Sequence, residues 1–173
     1  DGKQALKKKQ LDKYGLKDAS RPLAAVVTRA RPEKGTQLLA ESLEAMVEQG
    51  WNIVLYAGGD SEIEKALEDV AERYPDNISQ NSKYGQAPDS QPLLAGADAT
   101  IMPSKSEPCG LVQMEAHAYG TLPIARATGG LIDTIVNERD PDRDTGFLFD
   151  EFDAQALIKA TGEAAETYLN HRD

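Results

Sequence analysis

Ser106-Glu107-Pro108-Cys109-Gly110-Leu111, continuing through Glu115, and Thr128-Gly129-Gly130-Leu131 a short way downstream are the stretches on which the fold turns. An apolar run from Ala99 to Met102 precedes the first of them, and a helix-like segment follows it. The order is a strand, a turn carrying a carboxylate, a proline and a glycine, and then a helix whose first amides face the turn. Such a helix start carries about half a positive charge and free N–H donors, which suits an anionic phosphate. Glu107 and Glu115 lie eight residues apart. With a helix starting near Gly110, Glu115 falls in its second turn while Glu107 stays on the loop before it. This describes a nucleotide-sugar pocket, with phosphate on amides and carboxylates on hydroxyls.

Outward from these stretches, strand and helix alternate. Gln4 to Tyr14 reads as a charged helix ending near Gly15. Pro22 to Thr28 is a short apolar, β-branched run and hence a buried strand. Thr36 to Glu48 spaces Leu38, Leu39, Leu43, Met46 and Val47 as one buried helix face, and Gly50 stops it. Asn52 to Ala57 is the next strand, ending in Gly58-Gly59-Asp60. Ser61 to Tyr74 is helical, capped by Asp60 or Ser61, with Pro75 beyond its end. Asn77 to Ser82 is a short strand and Gly85 to Pro92 a loop. Ala99 to Met102, Leu122 to Ala125 and Gly146 to Phe149 are further strands, separated by helices over Leu111 to Tyr119 and Leu131 to Val136. A last helix runs from near Asp153 toward Leu169. Strands without polar alternation belong to a parallel sheet covered on both faces. The expected fold is α/β, a single Rossmann-like domain over residues 1–173 whose ligand sits at the carboxyl ends of the strands.

Composition narrows the function. A chain of 173 residues suits one domain, or at most two small ones. At this length roughly 70% of the unfolded surface can be buried, so neither disulfides nor metal are needed to fold. The formal charge of −10 argues against a general nucleic-acid binder. Lys7-Lys8-Lys9 is a basic run expected on a solvated helix face, with anion contact as the minor reading. Cys109 is the single cysteine, which rules out an internal disulfide. It is read as a buried or neutral thiol ahead of a nucleophile or redox sensor. Two scattered histidines offer little for zinc. No apolar run approaches the ~18 residues of a membrane span, and the start has no signal-peptide pattern. The expectation is a soluble protein of a reducing compartment with no membrane partner, and Asp1 in place of Met points to a fragment or processed piece.

The same stretches carry a family resemblance. Glu107 to Met114, then Tyr119-Gly120-Thr121-Leu122-Pro123-Ile124, then Ala127 to Thr134 resemble the C-terminal domain of bacterial glycogen synthases and plant starch synthases. Val26-Val27-Thr28-Arg29 with Glu33-Lys34-Gly35, and Thr145 to Phe149, agree with it in the family's order. The resemblance implies the C-terminal half of a GT-B fold, cytoplasmic (or plastidial in a plant). The implied parent reaction moves glucose from ADP-glucose or UDP-glucose to an α-1,4-glucan, with retention. It implies that Arg29 and Lys34 contact the nucleotide diphosphate, where a guanidinium forks onto phosphate oxygens and an ammonium adds a point charge. Glu107 would bond the glucose hydroxyls and stabilise charge near the reacting carbon, as the catalytic carboxylate. Amides of Cys109, Gly110 and Leu111 would hold the distal phosphate, and Thr128, Gly129 and Gly130 would offer further amides. Glu115 completes the E-x7-E pattern of retaining GT-B enzymes and would reach ribose, or else is an exposed helix glutamate. No cofactor is implied beyond the nucleotide-sugar donor, and no metal, because Arg29, Lys34 and the amides meet the diphosphate charge.

Several residues depart from the family's usual choices. Ser106 stands where an aromatic is common, Val112 where a hydroxyl is, and His117-Ala118 where Met and Arg are. Tyr84 to Pro92 departs from the family's base-binding segment, which leaves adenine stacking by Tyr84 open. The family's N-terminal domain, with the acceptor cleft and a catalytic histidine, is not in the sequence. The α-glucan would be reached only through that domain, so the piece alone is expected to bind donor without turnover. Two alternatives stand beside this reading: a domain of another retaining GT-B transferase, and an engineered or degenerate non-catalytic module on the same fold.

Overall fold

The computed structural model describes residues 2–82, 90–138, 140 and 142–170. Six parallel strands form one sheet among the described residues: β1 (Leu23–Ala30), β2 (Asn52–Gly59), β3 (Ile78–Asn81), β4 (Ala99–Met102), β5 (Leu122–Arg126) and β6 (Phe147–Phe149). Their spatial order is β3-β2-β1-β4-β5-β6. The chain therefore starts in the middle, builds one flank, and returns past β1 to build the other. Ligands of such sheets lie outside the carboxyl ends of the strands where the order reverses, here between β1 and β4.

Helices cover both faces, as the unbroken apolar strands require. One face carries α2 (Thr36–Glu48), α3 (Ser61–Arg73) and α7 (Ala154–Asn170). Leu39, Leu43 and Met46 of α2, Leu67 of α3 and Leu157 of α7 pack there against Val26, Ile53, Leu55 and Ile124. The other face carries α1 (Gly2–Tyr14), α4 (Ser90–Gly96), α5 (Val112–Ala118) and α6 (Gly130–Thr134). There Ala25, Val54 and Tyr56 meet Leu11, Leu93 and Leu94, while Met102 and Ala125 meet Leu131. Strand residues 24 and 26 thus face one layer and 25 the other, the two-residue period of a pleat.

The element boundaries follow local chemistry. Asp60 caps α3, its carboxylate accepting from the amides of Glu62 and Ile63 at 3.0 and 3.1 Å. Ser90-Gln91-Pro92, expected in a loop, instead opens α4. Proline in a first helical turn loses nothing, because that N–H has no intrahelical acceptor anyway. Residues 85–89 of the expected loop, and Tyr84, lie outside the described residues. Among the described residues no helix is long and apolar enough to cross a membrane.

The basic run on α1 also departs from expectation. Lys8 and Lys9 are exposed, but Lys7 is buried at 1% exposure. Its ammonium lies 2.7 Å from Asp98 Oδ2 and donates to Tyr168 Oη at 2.7 Å. Asp98 Oδ2 accepts the Leu23 amide as well, at 2.7 Å, so one carboxylate ties α1 to the start of β1 just ahead of β4. One turn earlier, Lys3 donates to Thr121 Oγ1 and to the Tyr119 carbonyl. Burial pulls the Lys3 ammonium below the usual lysine range, against the opposing pull of Asp98. The helix docks through lysines because its sequence offers few apolar residues to do so: its buried positions are Lys7, Gln10 and Leu11.

Removing Lys7 would strand the Asp98 carboxylate in a nearly closed site. Lys7→Met should cost about 3 kcal/mol or more of unfolding free energy in urea titration, the range for breaking a buried pair. Lys8→Met should stay within about 0.5 kcal/mol. Equal effects at the two positions would refute the assigned burial.

Candidate functional site

A cavity of about 270 Å³ opens at the reversal point, lined by Val27, Thr28 and Arg29 from β1, Ile101 and Met102 from β4, and the residues that follow each strand. This sits at the low edge of the ~300–1,000 Å³ typical of small-molecule sites. β1 runs to Ala30, past the expected end at Thr28, so Arg29 lies within the strand at its carboxyl end. Pro32–Lys34 form a short 3-10 turn with proline at its first position, and Gly35 ends it in the left-handed region at φ +67°. A Cβ on Gly35 would lie 1.9 Å from the Pro103 carbonyl oxygen. Glycine is what lets the loop after β1 touch the loop after β4.

That contact brings Lys34 to Glu107. The ammonium and Glu107 Oε2 are 2.8 Å apart, and Ser104 Oγ donates to the same oxygen at 3.2 Å. Lys34, Glu107, Arg29, Gly110 and Leu111 all line the cavity. Five of the sequence-derived residues are therefore brought to one hollow, with cations and a carboxylate facing a single space.

The loop carrying Glu107 is held by its carbonyls. Arg126, at the end of β5, donates to the carbonyls of Ser104 (3.0 Å), Lys105 (2.6 Å) and Asp150 (2.9 Å). The Gly130 amide donates to the Glu107 carbonyl at 3.1 Å. Gln113, fully buried, donates to the carbonyls of Cys109 (3.0 Å) and Gly110 (2.9 Å). Among the described residues the amides of Cys109, Gly110 and Leu111 make no backbone hydrogen bond. Carbonyls bound inward and amides left over make an electropositive loop, the arrangement that receives anions.

The remaining expected residues lie elsewhere. α5 begins at Val112, just after the expected start, so Glu115 is in its first turn rather than its second; it is exposed and does not line the cavity. Cys109 is exposed rather than buried. Thr128, Gly129 and Gly130 do not line the cavity either. Gly129 has φ +51°, and a Cβ there would lie 2.1 Å from the Glu107 carbonyl oxygen. In the structure this turn braces the Glu107 loop from behind. His117 Nε2 donates to the Thr145 carbonyl at 2.8 Å. Ser104 and Arg126 were not singled out from sequence, although each sits at or just past the carboxyl end of a strand, where α/β sites are built.

Residues 7–172 match the family model of glycosyl transferases group 1. The chain belongs to that family. It is 39% identical over 167 residues to a glycogen synthase of Pseudomonas paraeruginosa, and 40% identical over 153 residues to one of Thermotoga petrophila. These alignments cover 96% and 87% of the chain but 31% of each relative, so the chain spans about a third of their length. Among solved structures, the catalytic domain of starch synthase IV from Arabidopsis thaliana, bound to ADP and acarbose, superposes with a TM-score of 0.88 at 33% identity. That match covers 98% of this chain and 36% of the other. A sucrose-phosphate synthase from Thermosynechococcus elongatus gives 0.71 at 27% identity, over 96% of this chain and 40% of the other. The fold is one Rossmann-like half of a GT-B glycosyltransferase, and the relationship to glycogen and starch synthases read from the sequence is correct.

The bracing role of Gly129 is testable against Gly120, which also has positive φ (+66°) but open space around it. Gly120→Ala should cost about 1 kcal/mol from backbone strain alone. Gly129→Ala should cost roughly 2–3 kcal/mol or more and shift the amide NMR signals of residues 107–110. Equal costs with unmoved signals would contradict the close approach.

Proposed function

We propose that the chain is the donor-binding half of a retaining glucosyltransferase of the glycogen and starch synthase type. The observation that carries this is the grouping of Arg29, Lys34 and Glu107 with spare loop amides in one cavity at the reversal point of the sheet. Cations and amides suit a diphosphate, and a held carboxylate suits sugar hydroxyls. The starch synthase relative with the same fold was solved with ADP, which supports an adenine nucleotide as the ligand class. The sucrose-phosphate synthase likeness is weaker in both overlap and identity, which favours the glucan-synthase reading over another retaining transferase.

In this reading the nucleoside diphosphate of ADP-glucose or UDP-glucose leaves as glucose passes to an α-1,4-glucan with retention. Arg29, Lys34 and the amides of Cys109, Gly110 and Leu111 stabilise the charge that builds on the leaving diphosphate. Glu107 orients the glucose and faces the charge developing at its reacting carbon. The acceptor wall belongs to the rest of the parent enzyme. Transfer requires both reactants to be held together and water excluded, which one wall does not accomplish.

The isolated chain should bind ADP more tightly than adenosine in calorimetry, because the recognised charge is the diphosphate. Arg29→Ala and Lys34→Ala should each weaken ADP by about 1.5–3 kcal/mol, the range for hydrogen bonds to charged groups. Equal affinity for ADP and adenosine, or no loss in either variant, would remove the assignment. With labelled ADP-glucose and glycogen the chain alone should transfer nothing, and sustained turnover would show that the active site lies wholly within these residues.

A further inference from the structure

The ion pair in the cavity sets two tasks against each other. Lys34, the ammonium assigned to a diphosphate, is already neutralised at 2.8 Å by Glu107, the carboxylate assigned to the sugar. The two side chains are 30% and 13% exposed, so water screens the pair less than one on an open surface. Ser104 Oγ holds the same carboxylate oxygen at 3.2 Å, which keeps Glu107 in place if Lys34 turns away. A diphosphate entering this hollow must take Lys34 from Glu107 and then sit beside a carboxylate of like charge. A sugar on the terminal phosphate changes the balance, because its hydroxyls donate to Glu107 and replace the hydrogen bond that Lys34 gives up.

Resting on the donor-binding reading, we infer that Glu107 is a specificity-determining residue that separates a nucleotide sugar from the free nucleoside diphosphate. It competes with the diphosphate for Lys34 whenever no sugar engages it. The consequence runs in one direction through a turnover. The intact donor satisfies both partners. Once the glucose has left, Glu107 again competes with the diphosphate for Lys34 and loosens the product, so the residue that positions the sugar also favours product release.

The test is calorimetric titration of ADP and of ADP-glucose into the 173-residue chain. Four proteins are compared: the unaltered chain, Glu107→Gln, Glu107→Asp and Arg29→Ala. Glu107→Gln keeps the side-chain shape and an acceptor but removes the charge. It should bind ADP roughly fivefold more tightly or better, the scale of one partly screened ion pair, and should bind ADP-glucose no more tightly than the unaltered chain. Glu107→Asp keeps the charge and should leave ADP affinity within about twofold. Thermal melts confirm that each variant is folded. Unchanged or weaker ADP binding by folded Glu107→Gln would overturn the inference, as would an equal gain in Glu107→Asp. Arg29→Ala separates this from the underlying reading. If it loses ADP while Glu107→Gln gains nothing, the donor site stands and the inference alone fails. If the unaltered chain binds no ADP, or Arg29→Ala binds it equally well, both fail.

Discussion

β1 and β4 are paired for only part of their length, and the site depends on that. β1 runs alongside β2 from Leu23↔Asn52 to Ala30↔Gly59, but it pairs with β4 only at Ala24↔Ala99 and Ala25↔Thr100. Beyond Ala25 the two central strands have no shared register, and Val27, Thr28 and Arg29 face Ile101 and Met102 across the gap as cavity walls. The loops above close what the strands leave open. Gly35 touches Pro103, the Lys105 amide donates to the Glu33 carbonyl at 2.9 Å, and Lys34 reaches Glu107. A hollow at a reversal point follows from parallel topology, whereas its charge comes from which residues the two loops supply.

The loop of residues 104–110 shows how a backbone is prepared for an anion. Its carbonyls are drawn inward by Arg126, Gly130 and Gln113, three donors from three different elements. Each satisfied carbonyl leaves the loop more electropositive. The overall charge of −10 is no obstacle to this, since a partly enclosed site feels its nearest groups more than distant screened ones. Rigidity matters equally, because a donor displaced by an ångström loses most of its catalytic value.

Much of this was legible in the sequence. Apolar strands spaced by amphipathic helices dictate a parallel α/β sheet, and the family resemblance assigned Arg29, Lys34 and Glu107 to one nucleotide-sugar site. What stayed hidden was non-local. Lys7 looks like a solvated lysine because its partner Asp98 and its hydrogen-bond acceptor Tyr168 are distant in the chain. Gly129 and Gly130 read as amide donors. Only the folded chain shows that their missing side chains make room for Glu107 and Cys109. Arg126 resembles any strand-end arginine until the carbonyls it binds come from two other loops. Local rules speak to periodicity and capping, and close backbone approach lies outside their reach.

The central claim is that the β1–β4 hollow is the nucleotide diphosphate site. A crystal structure of the chain grown with ADP tests it most directly. The account predicts the diphosphate in that hollow, within hydrogen-bond distance of Lys34 and Arg29 and over the amides of residues 109–111. The chain has a second hollow at the opposite end of the sheet, lined by Trp51, Asp98, Leu122 and Tyr168. ADP seated there, or the diphosphate anywhere out of reach of Lys34 and Arg29, would contradict the claim.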